Sequence, residues 1–172
     1  MSLADARDAV IGFARERIGL AEPIVFAMGF AEGIPGLSLL VPSSALFIGI
    51  GTLHSAAGGS FWHLWLAASL GAVAGDCVVY ALGRQYREEV QRLPFFRQRP
   101  DWHRRGHDLI ERWGALAVLA GKFTSFMRPF IPAVAGILEM PFKIFLPASI
   151  LSSLAWAGAF LAPGYGILWL LD

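Results

Sequence analysis

Gly121-Lys-Phe-Thr-Ser-Phe-Met-Arg128-Pro-Phe-Ile-Pro132-Ala-Val-Ala-Gly136 is the stretch on which the fold turns. It lies in a run from Trp113 to Leu138 whose charged residues are Lys122 and Arg128 alone. A cation at membrane depth costs roughly 2.5–3.5 kcal/mol on insertion scales, so it is rarely kept without a partner or an anionic ligand. Arg128-Pro-Phe-Ile-Pro132 also interrupts a helix, because proline lacks the backbone donor.

The surrounding composition makes lipid the solvent. No Asp, Glu, Lys or Arg occurs from Gly33 to Gly75 or from Ile144 to Leu171, and 56% of the chain is hydrophobic. Such stretches predict an all-α integral membrane protein. A soluble domain around a buried hairpin accounts poorly for charges bunched into a few segments. The 172 residues leave room for a single membrane domain, 1–172. A net charge of +1 gives no argument for nucleic acid. Cys77 is the one cysteine, which excludes an intramolecular disulfide and a cysteine metal cluster.

Segments 60–82 and 142–168 read as transmembrane helices, their clean cores being Phe61–Leu82 and Phe142–Ala162. Trp62, His63 and Trp65 at one end of the first, and Tyr80 and Arg84 at the other, suggest interfacial anchoring. Segments 22–54 and 110–140 are apolar but broken, the first by Glu32-Gly-Ile-Pro-Gly36 and Pro42. Both are expected to be re-entrant hairpins, whose tips are tolerated only where protein or water satisfies the backbone. With one span between them they enter from opposite faces, which is an inverted repeat, although the two halves show no clear residue-by-residue likeness.

Residues 1–20 mix Asp5, Arg7, Asp8, Arg15, Glu16 and Arg17 with Val10, Ile11, Phe13, Ile18 and Leu20. They read as an amphipathic interfacial helix rather than a signal peptide. Segment 83–109 is a basic loop or amphipathic helix; from Gly83 to Arg112 there are eight arginines against five acids. The positive-inside rule puts it in the cytoplasm. His103 and His107 within it are four apart, a metal-binding spacing, but a solvated polar loop explains them more simply.

Four charges stand where a bilayer should exclude them: Glu32, Asp76, Lys122 and Arg128. If the tips meet, Glu32 neutralises Arg128 and Asp76 faces Lys122; a simpler role for Asp76 is to reach the interface or Arg84. The pairs could serve only to fix the fold, since buried pairs are weak evidence for stability. Functionally, Arg128 would grip phosphate through its planar fork, with Lys122 as a mobile charge. Helix N-termini after Pro129 or Pro35 would add backbone donors. Glu32 is a candidate proton carrier, since desolvation and a nearby cation act on it in opposite senses.

These residues carry a resemblance to the DedA family, whose domain is shared with the eukaryotic VTT proteins. Gly121, Lys122, Phe123, Arg128, Pro132, Ala135, Gly136, Met140 and Phe145 follow its most specific motif. Gly75, Asp76, Tyr80, Gly83 and Arg84 follow a second, and Trp156 with Pro163-Gly-Tyr-Gly166 the last part. The resemblance runs from about Phe30 to Gly166. It implies a multi-pass protein of the bacterial inner membrane that moves lipid phosphates, such as undecaprenyl phosphate or phosphatidylethanolamine, with possible coupling to protons. It carries functional roles onto Glu32, Asp76, Lys122 and Arg128, supported at the tips by Pro35, Gly36, Ser44, Gly121, Pro129, Pro132 and Gly136.

This sequence departs from the family pattern in places. Lys122 replaces the first arginine, Ser125 a proline and Ser44 a second acid, which weakens coupling through paired acids. The chain ends at Asp172, where many relatives continue into another helix. The expected function is thus a lipid flippase or scramblase without cofactor or metal. The alternatives are an ion- or proton-coupled solute transporter and a non-transporting scaffold. No nucleophile and base pair suggests an enzyme. A homo-oligomer is left open.

Overall fold

The computed structural model describes residues 12, 16, 18–35, 43–92, 113–116, 118–119 and 128–169. Among them every regular element is helical: α1 (Ala21–Gly33), α2 (Ser43–Ala56), α3 (Phe61–Gln85), α4 (Arg87–Arg92), α5 (Ile131–Ile137) and α6 (Phe142–Trp169). Short 3-10 turns stand at Ile18–Leu20 and Arg128–Phe130. Residues 113–116 and 118–119 are also helical.

Two described helices, α3 and α6, are long and apolar enough to cross a membrane. The 25 residues of α3 reach about 37 Å at ~1.5 Å per residue, more than a hydrocarbon core of ~30 Å. The helix passes the expected end at 82 and stops at Gln85, which moves Tyr80 inward. Tyr80 is buried and donates its hydroxyl to the Met140 carbonyl at 2.5 Å. It is therefore a core residue and not the interfacial anchor that its place in the sequence suggested. Trp62, at the other end, is well exposed. Helix α6 holds Pro147 and Pro163 within its length and continues to Trp169. Prolines are accommodated in such helices when neighbouring helices and polar side chains satisfy the freed backbone.

The two long helices run antiparallel. Trp65 Nε1 donates to Leu154 O at 2.8 Å, Ser149 Oγ to Asp76 Oδ2 at 2.6 Å, and Tyr80 meets Met140. As α3 advances, its partners on α6 recede.

Against this pair lie shorter helices that each cover half of a long one. Helix α1, 13 residues, packs along the first half of α3 and points the same way. The contact is backbone on backbone: Gly71 and Gly75 meet the Phe26 and Phe30 carbonyls, and a Cβ on Gly33 would stand 2.9 Å from Gly75 C. Helix α5 covers the second half of α3, with Gly83 against the Ala133 backbone and Gly136 against Tyr80 and Arg84. Helix α2 takes the second half of α6, where Gly51 meets Leu161 and Gly164 meets Ile48. Small residues at such seams let helices approach closely where lipid gives no hydrophobic push.

This packing differs from a simple hairpin. Limbs α1 and α2 touch only slightly, and each lies on a different long helix. The second broken region resumes as a helix after Pro129, as its sequence suggested. The turn at Arg128–Phe130 leads straight into α5, with Pro132 at its second position. Proline is suited to the first turn because its missing donor would be unsatisfied there anyway. Pro129 and Pro132 thus stand in the opening turns of a helix, Pro129 in the 3-10 turn and Pro132 in the first turn of α5. In the first region α2 is described from Ser43 onward, and residues 36–42 lie outside the described residues. Apart from residues 12, 16 and 18–20, the expected N-terminal amphipathic helix lies outside the described residues. So do residues 93–109 of the basic segment, with His103 and His107.

The core divides into two clusters. One holds Val25, Phe47, Leu64, Ala68, Ala72, Trp156, Ala157 and Leu161; the other holds Tyr80, Val118, Ala135, Met140, Phe145 and Ala148. Between them, midway along the long helices, lie the buried polar residues Glu32, Asp76, Ser149, Ser152 and Ser153. Leu66, Leu70, Val78 and Leu82 of α3, and Ile144, Ile150 and Leu151 of α6, are exposed. Apolar outside and polar at mid-depth inside is the pattern that lipid imposes.

Candidate functional site

Helix α1 ends at Gly33, where Ile34 N donates to Ala31 O at 3.1 Å and Pro35 follows in a turn. Glu32 therefore occupies the last turn of α1. Because Gly33 touches Gly75 and Asp76, that turn sits beside the middle of α3. The Arg128–Phe130 turn arrives at the same level from the other direction along the chain. Glu32 Oε2 and Arg128 Nη1 form an ion pair whose side chains are 6% and 10% exposed.

Helices α1 and α5 are thus stacked end to end along one side of α3, and the ion pair closes the junction. An acid at a helix C-terminus is disfavoured by the macrodipole, by about 0.3–1 kcal/mol at the surface. The opposite charge of Arg128, not the helix end, holds Glu32 in place.

Arg128 has a second partner. Its Cζ lies 3.8 Å from the ring centroid of Trp156, which is itself 3% exposed. Nη1 is committed to Glu32, but Nε and Nη2 are buried and have no hydrogen-bond partner among the described residues. These two nitrogens form the side-on fork of a guanidinium, the geometry that takes two oxygens of a phosphate or carboxylate. An unsatisfied buried donor costs about 1–3 kcal/mol, more beside a charge, so the fork calls for an acceptor.

Asp76 is 3% exposed and accepts from Ser149 Oγ at 2.6 Å. Ser152 Oγ donates to the Ser149 carbonyl at 3.1 Å, and Ser153 is also buried. Arg84 Nη1 donates to the Tyr80 hydroxyl at 3.0 Å, two helical turns along from Asp76. Asp76 thus faces α6 in the same layer as the ion pair, and does not simply reach for the interface.

The structure therefore joins Glu32 to Arg128 and puts Asp76 at their level. Lys122, Gly121 and Gly36 lie outside the described residues, so the expected Asp76 and Lys122 pairing lies there too. Pro35 is half-buried, Pro129, Pro132 and Gly136 are buried, and Ser44 stands in the first turn of α2. Residues not singled out from the sequence are Trp156 as a site residue and the three serines. Ser149, Ser152 and Ser153 are spaced three and four apart, which marks one polar face on an otherwise apolar span. Trp156 could have been noticed as a tryptophan at mid-span, since the interface is its usual place. Among the described residues no three of His, Cys, Asp and Glu are grouped to hold a metal ion.

Residues 34–166 match the VTT domain family. The chain belongs to the DedA family of VTT-domain proteins. The match takes in Asp76, Lys122, Arg128, Ser149 and Trp156, and begins two residues after Glu32. Among similar proteins, the inner membrane protein YabI of Escherichia coli is 29% identical over 140 residues, covering 81% of this chain and 55% of the relative. The uncharacterized membrane protein Rv2637 of Mycobacterium tuberculosis is 31% identical over 153 residues, covering 78% and 65%. The chain spans between about half and two-thirds of the length of these relatives. No solved structure matches it. A membrane protein of the DedA family is the identity on which the functional reading builds.

Proposed function

We propose that this DedA-family protein moves lipid phosphates, undecaprenyl phosphate or phospholipids, across the bacterial inner membrane. The observation that carries the reading is the Arg128 fork: two buried donors without a partner among the described residues, at mid-depth, beside an acid that can exchange its hold on the same guanidinium. The phosphate would occupy Nε and Nη2, with Lys122 as a second cation. Glu32 would balance the charge or carry a proton, and Asp76 would steady the cations. Acyl chains would stay in lipid while the headgroup follows the polar layer. Binding and movement of charge suffice for this work, and no covalent chemistry on the lipid is involved, so the protein is a transporter and not an enzyme.

Two re-entrant units in an inverted repeat would suit this work, because such repeats build midplane sites from broken helices. Gly51 contacts Leu161 on α6 as Gly136 contacts Tyr80 on α3. Gly164 contacts Ile48 as Gly83 contacts Ala133, with the same three-residue spacing on every helix. The name of the Escherichia coli relative favours the inner membrane.

The test is headgroup translocation in proteoliposomes, using fluorescent phospholipid and undecaprenyl phosphate, with and without a pH gradient. Wild type should move at least one of them, and Arg128→Ala should lower the flux by about a hundredfold or more, the loss expected when a charged group at a dry site has no counter-charge. Equal flux in the two proteins sinks the reading. Ion flux without lipid movement would turn it toward a solute transporter.

A further inference from the structure

We infer that Trp156 is the positioning residue of the anion site: its ring fixes the plane of the Arg128 guanidinium so that the Nε and Nη2 fork stays presented. The inference rests on the lipid-phosphate reading and adds to it a residue with a separate, measurable role.

A single contact through Nη1 leaves the guanidinium free to swing about that contact, and the fork would swing with it. The described group that lies over the guanidinium is the indole, 3.8 Å from Cζ to the ring centroid. A cation over an aromatic face gains about 0.5–1 kcal/mol when exposed and ~2 or more when desolvated. Arg128 is in the second situation.

The indole is itself fixed. Phe47 stands edge-on to it, with centroids 5.1 Å apart and planes at 87°, and Phe160 packs at 5.4 Å. Phe47 is fully buried. It belongs to α2, Glu32 to α1, Arg128 precedes α5, and Trp156 belongs to α6. One indole therefore ties both broken regions and a long helix to the orientation of one cation.

Trp156 also differs from Glu32 in kind. The carboxylate competes with an incoming anion for the cation, whereas the ring attracts the cation through its quadrupole and takes no proton. When the acid lets go, the ring still holds Arg128 in place with its edge facing the ligand.

The test compares Trp156→Phe, which keeps a ring face, with Trp156→Leu, which stays apolar without one. In proteoliposomes, Trp156→Leu should raise the mole fraction of phosphate lipid needed for half-maximal flux by about tenfold or more, with maximal flux within about twofold of wild type. Trp156→Phe should stay within about threefold on the first measure. An unchanged half-saturation in Trp156→Leu overturns the inference, as does an equal loss in both variants. In an Arg128→Lys background, Trp156→Leu should add less than about twofold, since an ammonium has no plane to orient; a full tenfold there also overturns it.

Thermal melts in detergent make the test independent of transport. The Trp156→Leu and Arg128→Lys effects should be non-additive, as for groups in contact. Additive effects refute the inference even if wild type moves no lipid, a result that would refute the transport reading by itself. Inorganic phosphate and dodecyl phosphate, each added as a competitor of flux, distinguish a site for free phosphate from one for a lipid headgroup. Competition by dodecyl phosphate alone is expected. Competition by neither would count against an anion on the fork and so against the inference.

Discussion

Glu32→Ala is expected to destabilise the protein by about 3–5 kcal/mol, the cost of breaking a buried ion pair from one side. Arg128 would be left charged, nine-tenths buried, with Trp156 as its remaining described partner. The measurement is a thermal or denaturant melt in detergent, and a wild-type midpoint for Glu32→Ala would contradict the pairing. A double variant, Glu32→Gln with Arg128→Gln, should recover most of the loss, because no lone charge remains and the two amides can bond to one another. That variant should nevertheless move no lipid. Recovery of the fold without recovery of flux is what separates a transport site from a pair that only fixes the fold. If the double variant recovers both, the scaffold reading gains and the phosphate reading fails.

Gly136→Val is the second large effect. A Cβ at Gly136 runs into the Tyr80 carbonyl and would lie 2.8 Å from Arg84 N. Both are backbone atoms of a long helix and cannot turn aside as a side-chain tip would. Helix α5 must move away from α3, and it carries Arg128 at its head away from Glu32. The expected loss is about 3 kcal/mol or somewhat more, the upper range for overpacking. Flux should fall with it although no charged group has changed. Gly51→Val, at the equivalent seam on α6, meets its nearest atom, Leu161 O, at 3.2 Å and should cost less. Gly166→Val meets nothing within 4 Å and should stay within about 0.5 kcal/mol. Equal effects at the three glycines would remove the case for close backbone seams.

Much of the site was legible in the sequence because the bilayer makes misplaced charge conspicuous. Glu32 and Arg128 stood out by sign and depth alone, and their pairing followed from the idea that two interrupted regions meet. The long helices were legible from uncharged length. The packing of the limbs was not, because apolar sequence does not say which neighbour a half-helix will choose. The glycines that decide it, Gly71, Gly83, Gly136 and Gly164, matter for what they lack and so have no hydropathy signature. Tyr80 misled because an aromatic near an arginine resembles an interfacial pair until the helix is seen to continue to Gln85. Pro129 and Pro132 read both as breakers and, after Pro129, as the start of a new helix, and α5 from Ile131 agrees with the second sense, since proline is well suited to begin a helix.

The junction of α1 and α5 has an electrical consequence. The ion pair that closes it is neutral as a unit, and the four charges that the sequence sets in apolar surroundings, Glu32, Asp76, Lys122 and Arg128, also sum to zero. If a singly charged phosphate takes the Arg128 fork while Glu32 stays ionised, the layer holds one net negative charge in a low-dielectric site, at a cost of several kcal/mol. If Glu32 takes up a proton as the anion arrives, the layer returns to zero. Under the transport reading, one proton would accompany each such anion, and the loaded site would cross no voltage step. Transport of this kind answers to the difference in pH across the membrane and is indifferent to its electrical potential.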